Sequence, residues 1–485
     1  MKLRRFIKLK NTSEIILKKN KHNPNFLAIR QLQIMRPHPV FLKDYENSYS
    51  DLEKKIDTKN IFFKIFELFL NLFKENNSYY TSNKFNNINP KKKILFLSHL
   101  INSNHLYNNE DFYFGNLINY LKKKKYITCN VLRNFTKINS KKIFYKNLKF
   151  FNTNIILSKS VNLIQEISLV LKIFVTFIKL KKLQLSGKLE REFFKNLNIF
   201  KFSGSAYNNL KLLLQFHQIL VKYKPKFVFL TFEGHSWERL IINHIRKKFP
   251  NIIIISYQFS ILTKYSSSIY LNLGKKFKPD IILTSGNYTK NKFIKNLDPK
   301  IKYINIGSNK YSSIKLKKSK RADVLVIPEG FNSETIKMLQ FTISAASYFK
   351  NKKFIFRFHP MVDQNFFFKY FSINKKEIPK NLIFSKKKFI DDVNISKYII
   401  YRGSAASIQA LSLGKVPIYY QLPGEINIDP LFMLKNKFYV KNIFELDSVL
   451  NDKSLKNKNK KNVFFTKEYF DKPNFTSLIK YLNKL

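Results

Sequence analysis

Four short motifs in the second half of the sequence combine residue types that bind phosphate. They are Pro328-Glu329-Gly330-Phe331, Arg357-Phe358-His359-Pro360, Arg402-Gly403-Ser404-Ala405-Ala406-Ser407 and Pro423-Gly424-Glu425. Arginine and histidine donate hydrogen bonds to phosphate oxygens, and the free N–H groups at a helix start attract an anion. Glu425, after the last strand, is placed to accept hydrogen bonds from ribose hydroxyls. Together the motifs predict a nucleotide-binding site.

The longest motif lies within one complete βαβ unit. Residues 398–401 read as a buried strand, residues 403–407 as a turn of small residues, and residues 416–420 as the next strand. We expect Ser404 or Ser407 to cap the intervening helix, which Gly414 ends. The sequence contains neither a Gly-x-x-x-x-Gly-Lys-Ser/Thr nor a Gly-x-Gly-x-x-Gly motif, so it supports neither a P-loop ATPase nor a typical NAD domain.

A second polar cluster follows a strand predicted at residues 226–231. It reads Phe232-Glu233-Gly234-His235-Ser236-Trp237-Glu238-Arg239 and contains the only tryptophan of the chain. The loop at residues 98–115, after the strand that begins at Ile94, is predicted at the same kind of sheet edge. Ligands of parallel sheets usually bind at the carboxyl ends of the strands, so both loops are candidates for contact with a substrate.

Alternating strands and helices predict an α/β protein with two Rossmann-like, doubly wound domains. We expect an irregular N-terminal extension at residues 1–90, a first Rossmann-like domain at 91–310, a second at 321–440, and a C-terminal helical segment at 441–485. The basic residues 311–320 read as the linker between the domains. Two such domains bind ligands in the cleft between them.

The net charge of +58 comes mostly from lysine scattered among asparagine, isoleucine and phenylalanine, as AT-rich genomes encode. We therefore expect no specific nucleic-acid partner, whereas an anionic membrane surface attracts dispersed lysine without any motif. Cys129 is the single cysteine, which excludes a disulfide framework and a cysteine-based metal site. The basic N-terminus has no apolar segment behind it, and no apolar run reaches about 18 residues. These features predict a cytoplasmic protein, peripheral at the inner face of the membrane.

Two apolar helical patterns suit either a membrane surface or the protein core. The aromatic pattern at residues 61–74 favours core packing. The pattern at residues 161–185 mixes apolar and basic residues, and it suits a helix on a membrane as well as one packed against the sheet.

The segments Arg357–Pro360 and Arg402–Pro417, about forty residues apart, resemble the donor-binding half of GT-B glycosyltransferases of bacterial surface-carbohydrate biosynthesis. They are similar to the His-Pro and Ser-Ser motifs of sialyltransferases, polysialyltransferases and capsule Kdo transferases. Residues 232–238 are similar to a Glu-containing loop of such proteins. The resemblance covers residues 94 to about 435.

The resemblance implies a nucleotide-sugar donor, CMP- or UDP-linked, no metal, and a surface polysaccharide or lipid-linked glycan as acceptor. His359 would contact the donor phosphate and assist its departure, and Ser404 and Ser407 would hold that phosphate. Glu233 would be the general base. Those enzymes carry a second acidic residue where this chain has Phe232. The alternatives His235, Glu238 and Glu329 therefore stay open for the base.

Two other functions fit the same sequence. A glycerophosphotransferase of the teichoic-acid type uses a similar two-domain architecture with a His-Pro element. A non-catalytic, basic membrane- or RNA-binding protein on a GT-B scaffold is the alternative outside enzymes, and its binding would fall steeply with salt.

Overall fold

The computed structural model describes residues 3–33, 77–82, 92–101, 111–136, 138–181, 199–311, 323–374, 377–434, 437–452 and 468–485, and the single residues 38, 42, 106 and 466. The helix predicted at residues 61–74 and most of the linker predicted at residues 311–320 lie outside these ranges.

The first domain is built on a sheet whose strands run in the order β1-β4-β3-β2-β5-β6-β7-β8. The strands are β1 Tyr79–Tyr80, β2 Lys93–Leu100, β3 Ile127–Asn134, β4 Asn154–Leu157, β5 Phe227–Thr231, β6 Ile253–Tyr257, β7 Ile281–Thr284 and β8 Lys302–Asn305. Every neighbouring pair is parallel except β1 with β4. The strand order reverses between β2 and β5, which makes their carboxyl ends the switch point of this sheet.

The second domain is built on a parallel sheet in the order β11-β10-β9-β12-β13-β14. Its strands are β9 Asp323–Ile327, β10 Phe354–Phe356, β11 Leu382–Phe384, β12 Ser396–Tyr401, β13 Val416–Tyr420 and β14 Phe438–Val440. Here the order reverses between β9 and β12. The two sheets confirm the predicted fold class, two Rossmann-like, doubly wound α/β domains.

The helices of eight residues or more in the described ranges are α1 Leu3–Lys19, α2 Leu163–Lys181, α3 Ile199–Tyr223, α4 Ser236–Lys248, α5 Asn287–Asn296, α6 Asn332–Tyr348 and α7 Ile443–Asn451. Shorter α-helices are Pro24–Ala28, Leu117–Lys123, Ser140–Lys146, Gln364–Tyr370, Phe389–Ile395, Ala406–Ser412 and Thr476–Leu482. Apolar side chains from the helices and the strands form the cores on the faces of both sheets. Residues 161–185 thus contain the predicted helix, as α2. No helix of the described part of the chain is long and apolar enough to cross a membrane.

The described N-terminal residues differ from the predicted irregular extension. Residues 3–33 are largely helical, and Phe6 and Leu17 of α1 pack with Leu169 of α2 and Leu210 of α3 in one buried cluster. The prediction overlooked this helix because its polar residues interrupt the apolar pattern. The N-terminal segment is therefore part of the core around the first domain.

The predicted C-terminal segment divides between the two domains. Helix α7 packs beside strand β14 of the second sheet, so this domain continues past residue 440. The last helix, Thr476–Leu482, packs against the first domain, where Leu478 and Leu482 contact the cluster around Ile94 and Phe96. The chain thus returns to the first domain, and its two ends both contribute to that domain's packing.

Candidate functional site

The predicted site residues follow strands of the two sheets, and three of them, Glu233, Glu329 and Arg402, follow strands that flank the switch points. In the second domain, Glu329 follows β9 and Arg402 follows β12. In the first domain, His99 lies at the end of β2 and Glu233 follows β5. Because parallel strands open a crevice at a switch point, each sheet directs its polar loops toward a place where a ligand binds.

Glu329 lies at the centre of the second-domain cluster. Its carboxylate accepts a hydrogen bond from the backbone N–H of Gly403 at 3.0 Å, and its other oxygen lies 3.0 Å from Nε2 of His38. A Cβ atom on Gly403 would come within 2.4 Å of this carboxylate. Glycine is therefore required there, and Glu329 fixes the start of the turn at residues 403–407. The carboxylate serves this turn, which argues against Glu329 as the general base.

His359 packs directly against Gly330, since a Cβ atom there would lie 2.7 Å from Nδ1 of His359. Nδ1 accepts a hydrogen bond from the backbone N–H of Met361 at 3.2 Å. Burial lowers the pKa of His359, although the nearby Glu329 carboxylate opposes this. The imidazole is therefore neutral near pH 7, with its proton on Nε2, and it can donate one hydrogen bond. Pro360, the next residue, is exposed and turns the chain away.

The turn at residues 403–407 differs in one respect from the prediction. The following helix, Ala406–Ser412, has Ala405 at its N-cap and no side-chain cap. The predicted cap by Ser404 or Ser407 is therefore wrong: the Ser407 hydroxyl donates to the carbonyl oxygen of Ser404 at 2.8 Å. Serine hydroxyls compete for nearby backbone carbonyls in this way. The helix is also only two turns long, so an anion bound here would depend more on the hydroxyl and N–H groups of the turn than on a helix dipole.

Arg402 lies inside the second domain. Its guanidinium forms ion pairs with Glu334 at 2.8 Å and with Glu425 at 2.5 Å, and its side chain is 1% exposed. Glu425 also pairs with Lys337 at 2.8 Å. Burial by itself would raise the pKa of Glu425, but Lys337 and Arg402 together lower this pKa below its ordinary value. Arg402 and Glu425 thus bind each other in this structure, and direct phosphate and ribose contacts remain predictions that would require these pairs to rearrange.

Arg357 is also paired within its own domain. Its Nη1 lies 2.8 Å from Oδ2 of the buried Asp392 and 2.5 Å from the carbonyl oxygen of Lys387. Ser385 donates a further hydrogen bond to Asp392 at 2.6 Å. Arg357 therefore links the end of β10 to the helix Phe389–Ile395, while its neighbour His359 faces Gly330.

In the first domain, two glutamates of the same loop have different partners. Glu238 accepts hydrogen bonds from the backbone N–H groups of residues 233–235 at 2.9–3.1 Å and from the hydroxyl of Thr231 at 2.6 Å. With these four donors, Glu238 holds the loop and caps α4, which leaves it poorly placed as a base. His235 occupies the N-cap of the same helix.

Glu233, which is half-buried, is the other carboxylate of this loop. One of its oxygens accepts hydrogen bonds from the backbone N–H groups of Phe259 and Ser260 at 2.9 and 2.8 Å. Burial raises the pKa of Glu233, whereas these hydrogen bonds and the amine of Lys310 oppose the rise. A carboxylate with a raised pKa is suited to accept a proton near neutral pH.

Lys310 connects the two halves of the site, and sequence reasoning missed it. Its amine donates to the carbonyl oxygen of Phe259 at 3.1 Å and lies 3.7 Å from the centre of the Phe259 ring. Its carbonyl oxygen accepts a hydrogen bond from Gln409, which belongs to the helix after the serine turn, at 3.0 Å. Burial lowers the pKa of the Lys310 amine to about 8, opposed by Glu233. Its position just before the predicted linker was the one available signal.

Aromatic residues surround His99 at the first switch point. The ring of His99 lies 5.0 Å from Tyr113 and Phe135 and 5.6 Å from Trp237, measured between centroids. Nδ1 of His99 has no hydrogen-bond partner within the described ranges. Burial, together with Arg133 and His235, lowers the pKa of His99 well below its ordinary value. The loop at residues 98–115 was predicted at this edge, but the aromatic cluster was not.

Comparisons with known proteins give similar folds at low identity. No family model and no curated protein sequence matches this chain. Among solved structures, UDP-GlcNAc 2-epimerase from Methanocaldococcus jannaschii in complex with UDP-GlcNAc and UDP has a TM-score of 0.47 and 14% identity, covering 81% of this chain and all of that chain. The kitacinnamycin glycotransferase and spinosyn rhamnosyltransferase with thymidine diphosphate each have a TM-score of 0.46, at 10% and 11% identity and the same coverages. Similarity of this size assigns neither an activity nor a ligand.

Proposed function

We propose that this protein is a glycosyltransferase that moves a sugar from a nucleotide-sugar donor to a surface polysaccharide or a lipid-linked glycan. The observation that carries the proposal is the connection between the two half-sites. Lys310 contacts the loop that holds Glu233 and, through Gln409, the helix that follows the serine turn. A carboxylate base and a phosphate seat on opposite sides of one cleft are what glycosyl transfer requires.

Glu233 is proposed as the base that accepts the proton of the acceptor hydroxyl. The acceptor oxygen then forms a bond to the anomeric carbon of the donor, and the bond from that carbon to the phosphate oxygen breaks with its electron pair on the phosphate. His359 donates the Nε2 proton in a hydrogen bond to this phosphate, and the turn at Ser404 and Ser407 offers further donors. Donors aimed at the charge that develops lower the barrier most effectively in a buried site.

Glu329, Gly330 and Gly403 have supporting roles in this proposal. The Glu329 carboxylate sets the turn, and the two glycines allow the close approach of His359 and of Glu329 itself. Arg402 and Glu425 stabilise the floor of the site through their ion pairs. The donor is proposed as CMP- or UDP-linked, and no metal is included in the proposal.

The direct test uses purified full-length protein with CMP-, UDP- and GDP-sugars, followed by release of the nucleotide and transfer to glycan acceptors. At least one donor should bind and react, and His359→Ala should weaken its binding. If none binds or is hydrolysed, the proposal is wrong. A product that carries phosphate together with the transferred group would instead indicate a glycerophosphotransferase.

We also propose that the protein acts at the inner face of the membrane, with α2 as the contact surface. Within the described part of the chain, eight apolar side chains of this helix are between 40% and 80% exposed: Leu163, Ile164, Ile167, Val170, Leu171, Phe174, Val175 and Ile178. At 3.6 residues per turn they share one face, about 22 Å long, opposite the buried Leu169 and Ile173.

Charge favours an anionic lipid surface over a second copy of the protein as the partner of this face. The exposed Lys172 and Lys179 lie along its edge, and Lys18 and Lys19 end the helix α1, which shares a buried apolar cluster with α2. A second copy would bring the same positive charges together, whereas anionic headgroups attract them. Sedimentation with vesicles that contain phosphatidylglycerol, compared with neutral vesicles, tests this contact.

A further inference from the structure

His38 of the N-terminal segment reaches the centre of the second-domain cluster. Its side chain is 1% exposed, and its Nε2 lies 3.0 Å from Oε2 of Glu329, 291 positions further along the chain. The His38 ring also packs on the ring of Phe331, with centroids 4.8 Å apart. A buried carboxylate without hydrogen-bond partners is costly, so a donor at this place stabilises the Glu329 carboxylate in its orientation.

The contact continues beyond Glu329 to the proposed phosphate seat. While one oxygen of Glu329 faces His38, the other accepts the N–H of Gly403, the first small residue of the turn. The Glu329 carboxylate also acts electrostatically on His359. The orientation of this one carboxylate therefore bears on both the turn and the histidine that are proposed to bind the donor phosphate.

The same N-terminal segment also contacts the first half-site. Gln33 accepts a hydrogen bond from Nη1 of Arg239 at 3.0 Å, and the same Nη1 donates to the carbonyl oxygen of Gly234, next to Glu233. His38 is five positions after Gln33 in the sequence, which limits the distance between these two anchors to roughly 18 Å. The segment thus meets both loops that the proposed function requires.

We propose that His38 is a positioning residue of the donor site: it orients the Glu329 carboxylate and, through it, the turn at residues 403–407. The N-terminal segment is then an integral part of the donor half-site, a role that the predicted extension did not have. This inference rests on the proposed function for its substrate, a nucleotide sugar, while its structural part stands on the contacts alone.

The structural part is tested by hydrogen exchange of full-length protein without any nucleotide. His38→Ala should speed exchange in the peptide that contains Gly403, because the carboxylate that accepts this N–H loses its orientation. His38→Gln, which keeps a side-chain N–H donor, should restore protection. His22→Ala is the matched control, since His22 is exposed on the same N-terminal segment. Unchanged exchange near Gly403 in a folded His38→Ala protein would overturn the inference.

The functional part is tested by donor kinetics with the reactive nucleotide sugar. His38→Ala should raise the donor KM about tenfold or more, from the loss of a buried charge-assisted contact, with a smaller change in kcat and none in the acceptor KM. His38→Gln should stay within about threefold of the unaltered protein. A donor KM unchanged by His38→Ala would overturn this part. Absence of any donor reaction in the unaltered protein would instead contradict the proposed function and leave the exchange result to decide on His38.

Discussion

Arg402 Nε lies 2.8 Å from Glu334 Oε2, and each side chain is only 1% exposed. The pair joins the segment after β12 to the first turn of α6, two elements on either side of the second switch point. Arg402→Met should therefore destabilise the protein by about 3 kcal/mol, because the buried Glu334 carboxylate then keeps only the more exposed Lys337 as its cation. Urea unfolding measures this change.

Lys337→Met is the matched control for this prediction. Lys337 pairs with the same Glu334 and with Glu425 but is 35% exposed, so its removal should cost less than about 1 kcal/mol. An Arg402→Met protein that keeps its stability but loses nucleotide binding would show that Arg402 is a direct phosphate ligand, as the sequence suggested.

Glu425 gives a prediction on the pH dependence of stability. Lys337 and Arg402 lower its pKa in the folded protein below the ordinary value of 4.5, against the effect of burial. The contribution of Glu425 to the free energy of unfolding is therefore fully present above about pH 4.5, and it is lost as the pH falls through the lowered pKa of the folded protein. The difference in free energy of unfolding between the unaltered protein and Glu425→Gln should be constant from pH 6 to 7 and should narrow at acid pH. A difference that widens toward low pH would contradict this pairing.

Glu233→Gln tests the proposed base. The substitution should lower kcat by roughly 10²–10⁴-fold, the usual contribution of general base catalysis, while the affinity for the donor nucleotide stays the same. Steady-state kinetics and nucleotide titration separate the two effects. Transfer at an undiminished rate would exclude Glu233 and leave His235 as the remaining alternative base.

Lys310→Met should move the pH profile of the reaction. The Lys310 amine lowers the pKa of Glu233, so its removal raises that pKa further. Since the base must be deprotonated, the acid limb of kcat/KM should move to higher pH. A limb that stays in place, or moves to lower pH, would show that Glu233 does not govern the rate.

Ile164→Glu and Phe174→Glu should each reduce binding to anionic vesicles by about tenfold or more, because a charge enters the apolar face of α2. Ile294→Glu is the control: this residue of α5 is 45% exposed and lies outside the proposed surface. Equal losses in all three variants, or no loss in the first two, would contradict a membrane role for this face. A monodisperse dimer that Phe174→Glu dissociates would assign the face to a second copy.

The strands and the order of the loops could be predicted from the sequence, because the apolar pattern of a strand and the residue types of a turn are local properties. The strands β9 and β12 read in the sequence as short apolar runs at residues 324–327 and 398–401, and polar loops follow them directly. The topology then brings these loops to the switch points. What the residues do there depended on partners far away in the sequence.

Arg402 illustrates this limit. From the sequence it is an arginine beside a serine turn, but its charge is bound by Glu334, 68 positions earlier, and by Glu425. His38 and Lys310 were missed for the same reason, since neither lies in a recognisable motif. The cap predicted for Ser404 or Ser407 failed because the hydroxyl of Ser407 bonds within the turn instead.

Calorimetric titration of the full-length protein with CMP, UDP and GDP tests most directly whether the second domain binds a nucleotide at the turn formed by residues 403–407. One nucleotide should bind with a stoichiometry of one, His359→Ala should weaken its binding about tenfold or more, and Glu233→Gln should leave its affinity unchanged, since His359 is proposed to contact the phosphate and Glu233 is not. If no nucleotide binds, or if His359→Ala binds as tightly as the unaltered protein, the second domain does not hold a nucleotide sugar at this turn.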